Sequence, residues 1–291
     1  MAPDSPVFPR LAIVGLGLIG GSIAFAARRA WPSAHVLAVD REAVLREALA
    51  RRAIDEGTTS LESVAGADLI VLAAPVRQNM ALLRQVAPHA AASAVITDVG
   101  GTKRAIVEAA AALPQRVRFV GGHPLGGGAR GGFEFATASL FARRPWIFTP
   151  PEGVAAGEAS PSVERLSSFV AGLGAQPSVM SAAEHDRLMA LISHLPQLTV
   201  TALMEVVGTT VGGAGLRMAG QGLIDTTRLA SSPAGVWRDI CQTNADEIAR
   251  ALDLLIERLS DMRSDLHRAE IIDAVFDHAA KWRSELMKGR D

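Results

Sequence analysis

Three glycines near the start of the chain constrain its fold more than any other feature. Gly15, Gly17 and Gly20 have the spacing G-x-G-x-x-G, and they follow the apolar run Leu11 to Val14 and open a stretch of small residues. In such a context the first glycine permits a tight turn, the second lets a diphosphate approach the backbone, and the third lets a helix pack against the strand. The segment therefore predicts a strand, a turn and a helix that bind a dinucleotide.

An acidic residue further along supports this interpretation. Asp40 ends the next apolar run, 20 residues after Gly20, where a carboxylate accepts hydrogen bonds from a ribose hydroxyl. Alternatively, Asp40 caps the helix that begins at Arg41. Asp40 repels the 2′-phosphate of NADP, whereas the Arg41 guanidinium could bind it, so we expect NAD and leave NADP open. The predicted cofactor contacts here are Gly15, Gly17, Leu18, Ile19, Gly20, Asp40 and Arg41.

The first 180 residues alternate short apolar runs with amphipathic segments, a pattern typical of a doubly wound α/β fold. Predicted strands are Leu11 to Val14, His35 to Val39, Asp68 to Ala73, Ala94 to Asp98, Arg118 to Val120, Trp146 to Phe148 and Pro177 to Met180. Predicted helices are Gly20 to Arg29, Arg41 to Arg51, Asn79 to Val86, Arg104 to Leu113 and Val163 to Leu173. We predict a Rossmann-type, mostly parallel sheet over residues 1–180.

Residues 181–291 lack strand patterns and are predicted to form an all-helical second domain. The longest predicted helix has Thr243 or Asn244 as its cap. Its apolar residues recur at spacings of three and four: Ile248, Ala251, Leu252, Leu255, Leu259, Met262 and Leu266. Because few aromatic residues are available to cover these helices, we expect them to pack against a second copy of the chain as a homodimer.

Composition argues against several other classes of protein. With 29 basic and 30 acidic residues the formal charge is -1, and no basic run offers a surface for nucleic acid. The single cysteine, Cys241, can form no intrachain disulfide, which fits a reducing cytoplasm. The uncharged run Leu11 to Ala27 contains four glycines, so we interpret it as the cofactor turn rather than a membrane or signal segment. No metal site is predicted.

Three segments follow strands of the predicted sheet: 73–75, 98–103 and 121–124. We expect them to face the nicotinamide, because ligands of open α/β sheets bind beyond the carboxyl ends of the strands. The predicted cofactor contacts among them are Ala73, Ala74, Pro75, Asp98, Gly100 and Gly101. The third segment contains His123, the only side chain of the three segments that exchanges a proton near neutral pH. By its type and position, His123 is either a general base or a structural histidine in a glycine-rich segment.

Several motifs occur together and in order, and through them the chain resembles the prephenate and arogenate dehydrogenase family over nearly its whole length. The motifs are Asp98-Val99-Gly100-Gly101-Thr102-Lys103, Gly121-Gly122-His123-Pro124, Ser193-His194-Leu195-Pro196-Gln197, and Asp225-Thr226-Thr227-Arg228 followed by Trp237-Arg238-Asp239. The resemblance implies oxidative decarboxylation in tyrosine biosynthesis. A hydride leaves ring carbon four for the nicotinamide, and the ring carboxylate departs as carbon dioxide.

The resemblance also implies roles for individual residues. His123 would accept the hydrogen bond of the ring hydroxyl as general base, and Arg228 would hold a substrate carboxylate. Asp225, one turn away, could orient Arg228 or simply form an ion pair with it, and Trp237 would form a wall of the pocket.

Three positions depart from the family pattern on the substrate side. Gly101 stands where a serine is usual, and we expect Thr102 to replace its hydroxyl. Gly127-Gly128-Ala129 replaces a run that supplies a hydroxyl and a carboxylate. Gln197 stands where many members that use prephenate have a second histidine, and we expect it to bind substrate through its amide. His194 is expected to be structural, and Pro196 to kink its helix.

The substrate and the protein class leave alternatives. Prephenate carries a keto group where arogenate carries an amine, for which Glu134 is a candidate partner. A 4-amino-4-deoxyprephenate dehydrogenase is an alternative, since an amine in place of the ring hydroxyl could tolerate the missing serine. Two further alternatives concern the class of protein. One is a nonenzymatic NAD-binding regulator, against which His123 and Arg228 argue. The other is a β-hydroxyacid dehydrogenase, for which the helical half shows no catalytic lysine.

Overall fold

The computed structural model describes residues 5–114, 116–127, 130–151 and 160–288. The strands found in these residues form one sheet in the order β3-β2-β1-β4-β5-β6-β7-β8. They are β1 (Arg10–Val14), β2 (His35–Val39), β3 (Glu56–Thr58), β4 (Leu69–Leu72), β5 (Val95–Asp98), β6 (Arg118–Pro124), β7 (Pro145–Thr149) and β8 (Gln176–Val179). All neighbouring pairs are parallel except β6 and β7. The predicted mostly parallel sheet is confirmed.

Helices cover both faces of the sheet, because its central strands are apolar on both sides. Strand β4 is buried at every position, as a strand between two helical layers must be. The helices that alternate with the strands are α1 (Leu18–Ala30), α2 (Glu42–Ala50), α3 (Val76–Val86), α4 (Arg104–Ala111) and α5 (Pro161–Gly172). On one face, Trp31 at the end of α1 stacks on Phe169 of α5, with ring centroids 5.4 Å apart.

The antiparallel strand changes the setting of His123. Strand β6 pairs with β5 only as far as Val120, but it continues beside β7, where His123 lies opposite Ile147. The sequence pattern placed Gly121 to Pro124 in a segment after the strand. Pairing with β7 instead fixes this backbone within β6, so His123 lies on a rigid element.

The chain after the sheet is helical, as predicted. Its helices are α6 (Ala182–Met189), α7 (Leu195–Leu216), α8 (Gln221–Thr226), α9 (Ala234–Thr243), α10 (Ala245–Asp265) and α11 (Glu270–Met287). The irregularity expected at Pro196 is a π-helical turn, Ala190–His194, just before α7, since proline has no N–H for a regular helical hydrogen bond. The chain forms two compact units, residues 1–245 and 246–291, so the division after residue 180 stays a prediction.

Candidate active site

The glycine turn has the geometry that a bound diphosphate needs. Gly15 has φ +101, and a Cβ on Gly20 would lie 2.0 Å from the carbonyl oxygen of Gly15, so neither position tolerates a side chain. A Cβ on Gly17 would meet nothing within 4 Å. Gly17 directly precedes α1, and no side chain caps that helix. Open space and free N–H groups therefore meet at one helix N-terminus, which favours an anion.

A groove of about 870 Å³ runs from this turn along the edge of the sheet. Seven of the predicted cofactor residues line it, namely Gly15, Gly17, Asp40, Arg41, Ala73, Ala74 and Pro75. The Asp40 carboxylate accepts the N–H groups of Leu16 and Arg41, each at 2.6 Å, while the Arg41 guanidinium extends into solvent. Asp40 thus fixes the glycine turn as well as facing the groove.

Phe133 and Glu134 form another part of the groove lining that the sequence pattern did not assign to the cofactor. Arg51 lies 4.9 Å from the Phe133 ring centroid and donates to the Phe133 carbonyl oxygen at 3.2 Å, which holds this segment in place. Glu134, expected as a partner for a substrate amine, instead lines the cofactor groove. Gly128 and Ala129, two of the predicted departures, lie outside the described residues.

The remaining predicted cofactor residues lie beside or below the groove. Leu18, Ile19 and Gly20 form the first turn of α1. The carboxylate of Asp98 is fully buried and binds Lys103 Nζ at 2.5 and 2.6 Å and the Gly100 N–H at 2.7 Å. Asp98 therefore has an internal partner, and its predicted contact with the cofactor does not follow from this arrangement.

The Asp98–Lys103 ion pair holds the strand that carries His123. Asp98 accepts the Gly122 N–H at 3.1 Å, and Lys103 Nζ donates to the Gly122 carbonyl oxygen at 2.8 Å. Burial lowers the pKa of Lys103, although Asp98 opposes this shift. The ion pair thus holds both the N–H and the carbonyl oxygen of Gly122, the residue before His123. Removing either member would leave a buried charge without its partner, which strongly destabilises the folded chain.

His123 is half-buried and has a polar partner on one side only in the described part of the chain. Its Nδ1 lies 2.9 Å from Nε2 of His185, and Nδ1 of His185 lies 2.7 Å from Oδ1 of Asp186. The opposite ring nitrogen, Nε2 of His123, lies 3.9 Å from where a Cβ on Gly101 would be. Burial holds the pKa of His123 well below its usual value of 6.5, with further lowering from the cationic forms of its neighbours.

Asp186 anchors this chain of groups. Its carboxylate accepts the backbone N–H groups of Lys103 at 2.7 Å and of Arg104 at 2.9 Å, at the start of α4. Burial would raise the pKa of Asp186, but the hydrogen bonds from His185 and from these two amides together lower it. The Asp186 carboxylate therefore accepts each of these hydrogen bonds and donates none.

Thr102 does not take the place of the missing serine. It is fully buried, and its Oγ1 lies 2.7 Å from Oγ1 of Thr243, which in turn donates to the carbonyl oxygen of Asp239 at 2.8 Å. The hydroxyl of Thr102 thus joins the loop after β5 to helix α9. The expected substrate contact of Thr102 is replaced by this structural one, and the side of the site next to Gly101 has no hydroxyl from this loop.

Gln197 also differs from expectation. Its Nε2 donates to the carbonyl oxygen of Leu229 at 2.7 Å, and its Oε1 accepts from Ser232 Oγ at 3.1 Å. Both ends of the amide are therefore occupied by the short 3₁₀ segment Arg228–Ser231 and the residue after it. Gln197 thus ties α7 to the segment that carries Arg228, and its contact with substrate stays a prediction.

Three predicted substrate residues lie in the helical part of the chain: Asp225 on α8, Arg228 on the 3₁₀ segment that follows, and Trp237 on α9. Asp225 accepts from Gln221 Nε2 at 2.8 Å, and no ion pair between Asp225 and Arg228 is found among the described residues. Arg228 is exposed at the start of its 3₁₀ segment. Trp237 packs edge-on against His194, with ring centroids 6.0 Å apart, and its role as a wall of the pocket stays a prediction.

His194 has polar and ring contacts of its own, which fit the structural role expected of it from the sequence. Asn244 Nδ2 lies 3.4 Å from its Nδ1 and donates to the Asp186 carbonyl oxygen at 2.8 Å. Burial lowers the pKa of His194 to about 4, so it is neutral at physiological pH. Asn244 therefore connects the end of α9 to the residue pair behind His123.

Both halves of the chain match one protein family. Residues 23–179 match "Prephenate dehydrogenase, nucleotide-binding domain", and residues 181–277 match "Prephenate dehydrogenase, dimerization domain". The chain belongs to the prephenate dehydrogenase family. The predicted family resemblance and the predicted nucleotide-binding fold are both confirmed.

Individual members of the prephenate dehydrogenase family are similar over almost the whole chain. Prephenate dehydrogenase of Bacillus subtilis (strain 168) is 33% identical over 287 residues, which cover 95% of this chain and 76% of that protein. A crystal structure of prephenate dehydrogenase from A. aeolicus with hydroxyphenyl propionate and NAD+ superposes with a TM-score of 0.86, at 26% identity and 95% and 98% coverage. Synechocystis arogenate dehydrogenase has a TM-score of 0.79, at 27% identity and 95% and 99% coverage.

The sequence analysis gave no role in the site to four polar residues that lie on the His185 side of His123: His185, Asp186, Lys103 and Asn244. Each is fully buried, yet Lys103 was read only as the last residue of a family motif and Asn244 only as a helix cap. The adjacent pair His185-Asp186 was the available signal, because a histidine beside a carboxylate is a combination suited to holding a proton. Its contact with His123, 62 residues away, could not be read from local spacing.

Proposed function

We propose that this chain oxidatively decarboxylates prephenate, arogenate or both, with NAD as the hydride acceptor. The observation that carries the proposal is the half-buried His123, whose Nε2 faces the space beside Gly101. A ring hydroxyl in that space would meet an acceptor on a rigid strand. Family membership and the names of the relatives supply the substrate class, and the position of this base supports it.

The groove residues fit NAD. The space above Gly17, the first turn of α1 and the Asp40 carboxylate would hold the diphosphate and a ribose, while Ala73 and Ala74 leave room for the nicotinamide half. When bound, NAD supplies the acceptor for a hydride. The chain's own residues do the rest: they orient the ring, hold its hydroxyl and exclude water.

His123 would assist by holding a proton at one atom. Its Nε2 accepts the hydrogen bond of the ring hydroxyl and draws the proton toward itself as the hydride leaves ring carbon four. The bond between ring carbon one and its carboxylate then breaks, its electrons complete the aromatic ring, and the proton stays with the product's phenol oxygen. No net proton is released, so a neutral His123 is returned at the end of each cycle.

Arg228 would bind a substrate carboxylate through its paired N–H donors. Its exposed position in a 3₁₀ segment tied down by Gln197 supports a preset anchor. Trp237, braced by His194, would pack beside the ring. Together these residues fix the substrate relative to His123.

We also propose a homodimer in the cytoplasm. Helix α7 exposes several apolar residues, including Leu203, Val206 and Val211. Residues 182–216, which comprise α6, the π-helical turn and α7, are apolar and long enough to cross a membrane by length and composition alone. The same segment contains the buried His185 and Asp186, whose network with His123 needs a folded site. We therefore propose that a second copy of the chain covers these apolar residues, as the match to a "dimerization domain" suggests.

The test is a matrix of activity assays. Purified protein is mixed with prephenate, arogenate or the 4-amino analogue of prephenate, each with NAD and with NADP, and formation of reduced cofactor is followed. We expect turnover with prephenate or arogenate and a preference for NAD. Absence of turnover in every mixture, while NAD still binds, would contradict the proposal and favour a nonenzymatic regulator.

A further inference from the structure

The pair behind His123 forms a directed chain of hydrogen bonds. Asp186 accepts two backbone N–H groups and lies 2.7 Å from Nδ1 of His185. Because a carboxylate can only accept, the proton on this contact belongs to His185 Nδ1. Its Nε2 then carries a lone pair, and at 2.9 Å from that lone pair the Nδ1 of His123 must be the donor.

The consequence reaches the reacting side of the ring. A neutral imidazole carries one proton, so a proton on Nδ1 of His123 leaves Nε2 with a lone pair. The other neutral tautomer would set two lone pairs against each other at 2.9 Å. The backbone amides of α4 therefore determine, through two side chains, which nitrogen of His123 can accept a proton.

Burial dominates the protonation of His123 and His185. Lys103, directly before α4, is paired with Asp98 of β5, while His194 in the π-helical turn accepts from Asn244 and is neutral. Burial lowers the pKa of His185 despite the opposing hydrogen bond to Asp186, and the pKa of His123 is lowered as well. The carboxylates of Asp186 and Asp98 raise the pKa of His185, but burial outweighs them, so a second proton on either ring is disfavoured.

We infer that His185 and Asp186 are positioning residues that hold His123 in the Nδ1-protonated tautomer, with the Nε2 lone pair directed toward the ring hydroxyl of the substrate. Neither residue needs to touch the substrate, since both act through His123. The value of this inference for catalysis rests on the proposed function. The tautomer itself can be measured with or without turnover.

The decisive pair of variants differs only at residue 185. In His185→Gln the side-chain amide oxygen can stand where Nε2 was and accept from His123 Nδ1. In His185→Leu it cannot, because leucine offers no acceptor. We expect the leucine variant to lower kcat by about 10- to 100-fold, the usual cost of losing an orienting partner, with KM changed less than about threefold, and the glutamine variant to recover most of the loss.

The pH profile separates orientation from folding. Neutral His185 accepts from Nδ1 of His123 and so stabilises protonated His123; because leucine removes this acceptor, the acid limb of kcat should move to lower pH in His185→Leu and return toward the wild-type position in His185→Gln. A variant that is merely less well folded would lower kcat at every pH without moving the limb. His89→Leu, in the turn between α3 and β5, is the matched control and should behave as wild type.

A measurement on the wild-type protein needs no activity. Nitrogen chemical shifts of ¹⁵N-labelled histidines report which ring nitrogen carries the proton, and the His123 signals are identified by their loss in His123→Asn. We expect a protonated Nδ1 and a bare Nε2. A protonated Nε2 in the neutral ring, or unchanged kcat and pH profile in His185→Leu, would overturn the inference. Lack of turnover with the expected tautomer would contradict only the proposed function.

Discussion

At the scale of single residues, general-base assistance depends on a neutral His123, and its surroundings favour that form. Burial lowers its pKa well below 6.5, and the nearest titratable groups, His185 and Lys103, act in the same direction. Because only the unprotonated ring can accept a proton, activity should persist as pH falls through 6.5 and decline only when pH approaches the lowered pKa.

We therefore predict a kcat that is nearly constant from pH 8 to pH 6.5, measured as reduced cofactor formed at saturating substrate. The acid limb should lie below 6.5 because the pKa of His123 is lowered. In His123→Asn, kcat should fall by about 10²- to 10⁴-fold while NAD affinity stays unchanged. A limb centred above 6.5, or an asparagine variant with full activity, would contradict the assigned base.

Gly101 offers a second test at this scale. A Cβ there would lie 3.8 Å from Ile240 Cδ1 and 3.9 Å from His123 Nε2, which is ordinary contact distance. Gly101→Ser should therefore fold normally and put a hydroxyl within reach of the base and the substrate. We expect KM to fall about three- to tenfold, corresponding to one added hydrogen bond. Gly101→Ala is the control, and an equal effect of both variants would show that the hydroxyl is not responsible.

At the scale of elements, the short segment Arg228–Ser231 is held by one amide from α7. Gln197 donates to Leu229 and accepts from Ser232. This contact gives the glutamine a structural task in this motif, and its contact with substrate stays a prediction. The sequence analysis read the residue type correctly as a hydrogen-bonding group, but it could not show Leu229 and Ser232 as partners, because they lie more than 30 residues away.

Gln197→Met keeps the side-chain volume and removes both hydrogen bonds. We expect KM to rise about tenfold with kcat little changed, because the Arg228 anchor is then less ordered. Gln85→Met, at an exposed position of α3, is the matched control. A double-mutant cycle with Arg228→Ala decides the mechanism: the two effects should be strongly non-additive if Gln197 acts through Arg228, whereas full additivity would mean independent contacts.

Much of the fold was predictable because its signals are local. A buried parallel sheet is predicted from residue type alone by the apolar run Leu11 to Val14 before the glycine turn and by the residues of β4 and β5. Strand β3, Glu56–Thr58, was missed because three residues without a continuous apolar run show no hydrophobic periodicity. His123 was placed after its strand because the antiparallel partner β7 lies more than 20 residues further along.

The site was predictable only in part, for the same physical reason. His123 and the groove residues stand at the ends of strands, where a sequence motif marks them. The direction of Thr102 depends on Thr243, 141 residues away, and the tautomer of His123 depends on His185 and Asp186. Such contacts arise from packing between the sheet and the helices that follow it, which local spacing does not record.

At the scale of the whole molecule, the helical half exposes more apolar surface than an isolated chain would be expected to keep. Val206 on α7 is 58% exposed, and Phe276 and Trp282 on α11 are 65% and 73% exposed. Exposed large apolar residues grouped on a few elements indicate an interaction surface. The exposed residues of α7 and those of α11, each taken by itself, support the homodimer proposed above, as does the matched dimerization domain.

Val206→Glu should weaken this association. A charge placed in an apolar interface loses its hydration without a partner, so sedimentation at micromolar concentration should show a dimer for wild type and monomer for the variant. Leu49→Glu makes the same change at a residue of α2 that is 43% exposed and should remain dimeric. A wild-type chain that sediments as a monomer would contradict the homodimer proposal.

The central claim, that this family member couples hydride transfer to loss of the ring carboxylate beside His123, is tested most directly by stoichiometry. The enzyme is given prephenate or arogenate with NAD, and carbon dioxide and reduced cofactor are quantified in the same sample. We predict that the two form in equal amounts and that His123→Asn slows both together. Reduced cofactor without carbon dioxide, or an equal rate in the variant, would contradict the account.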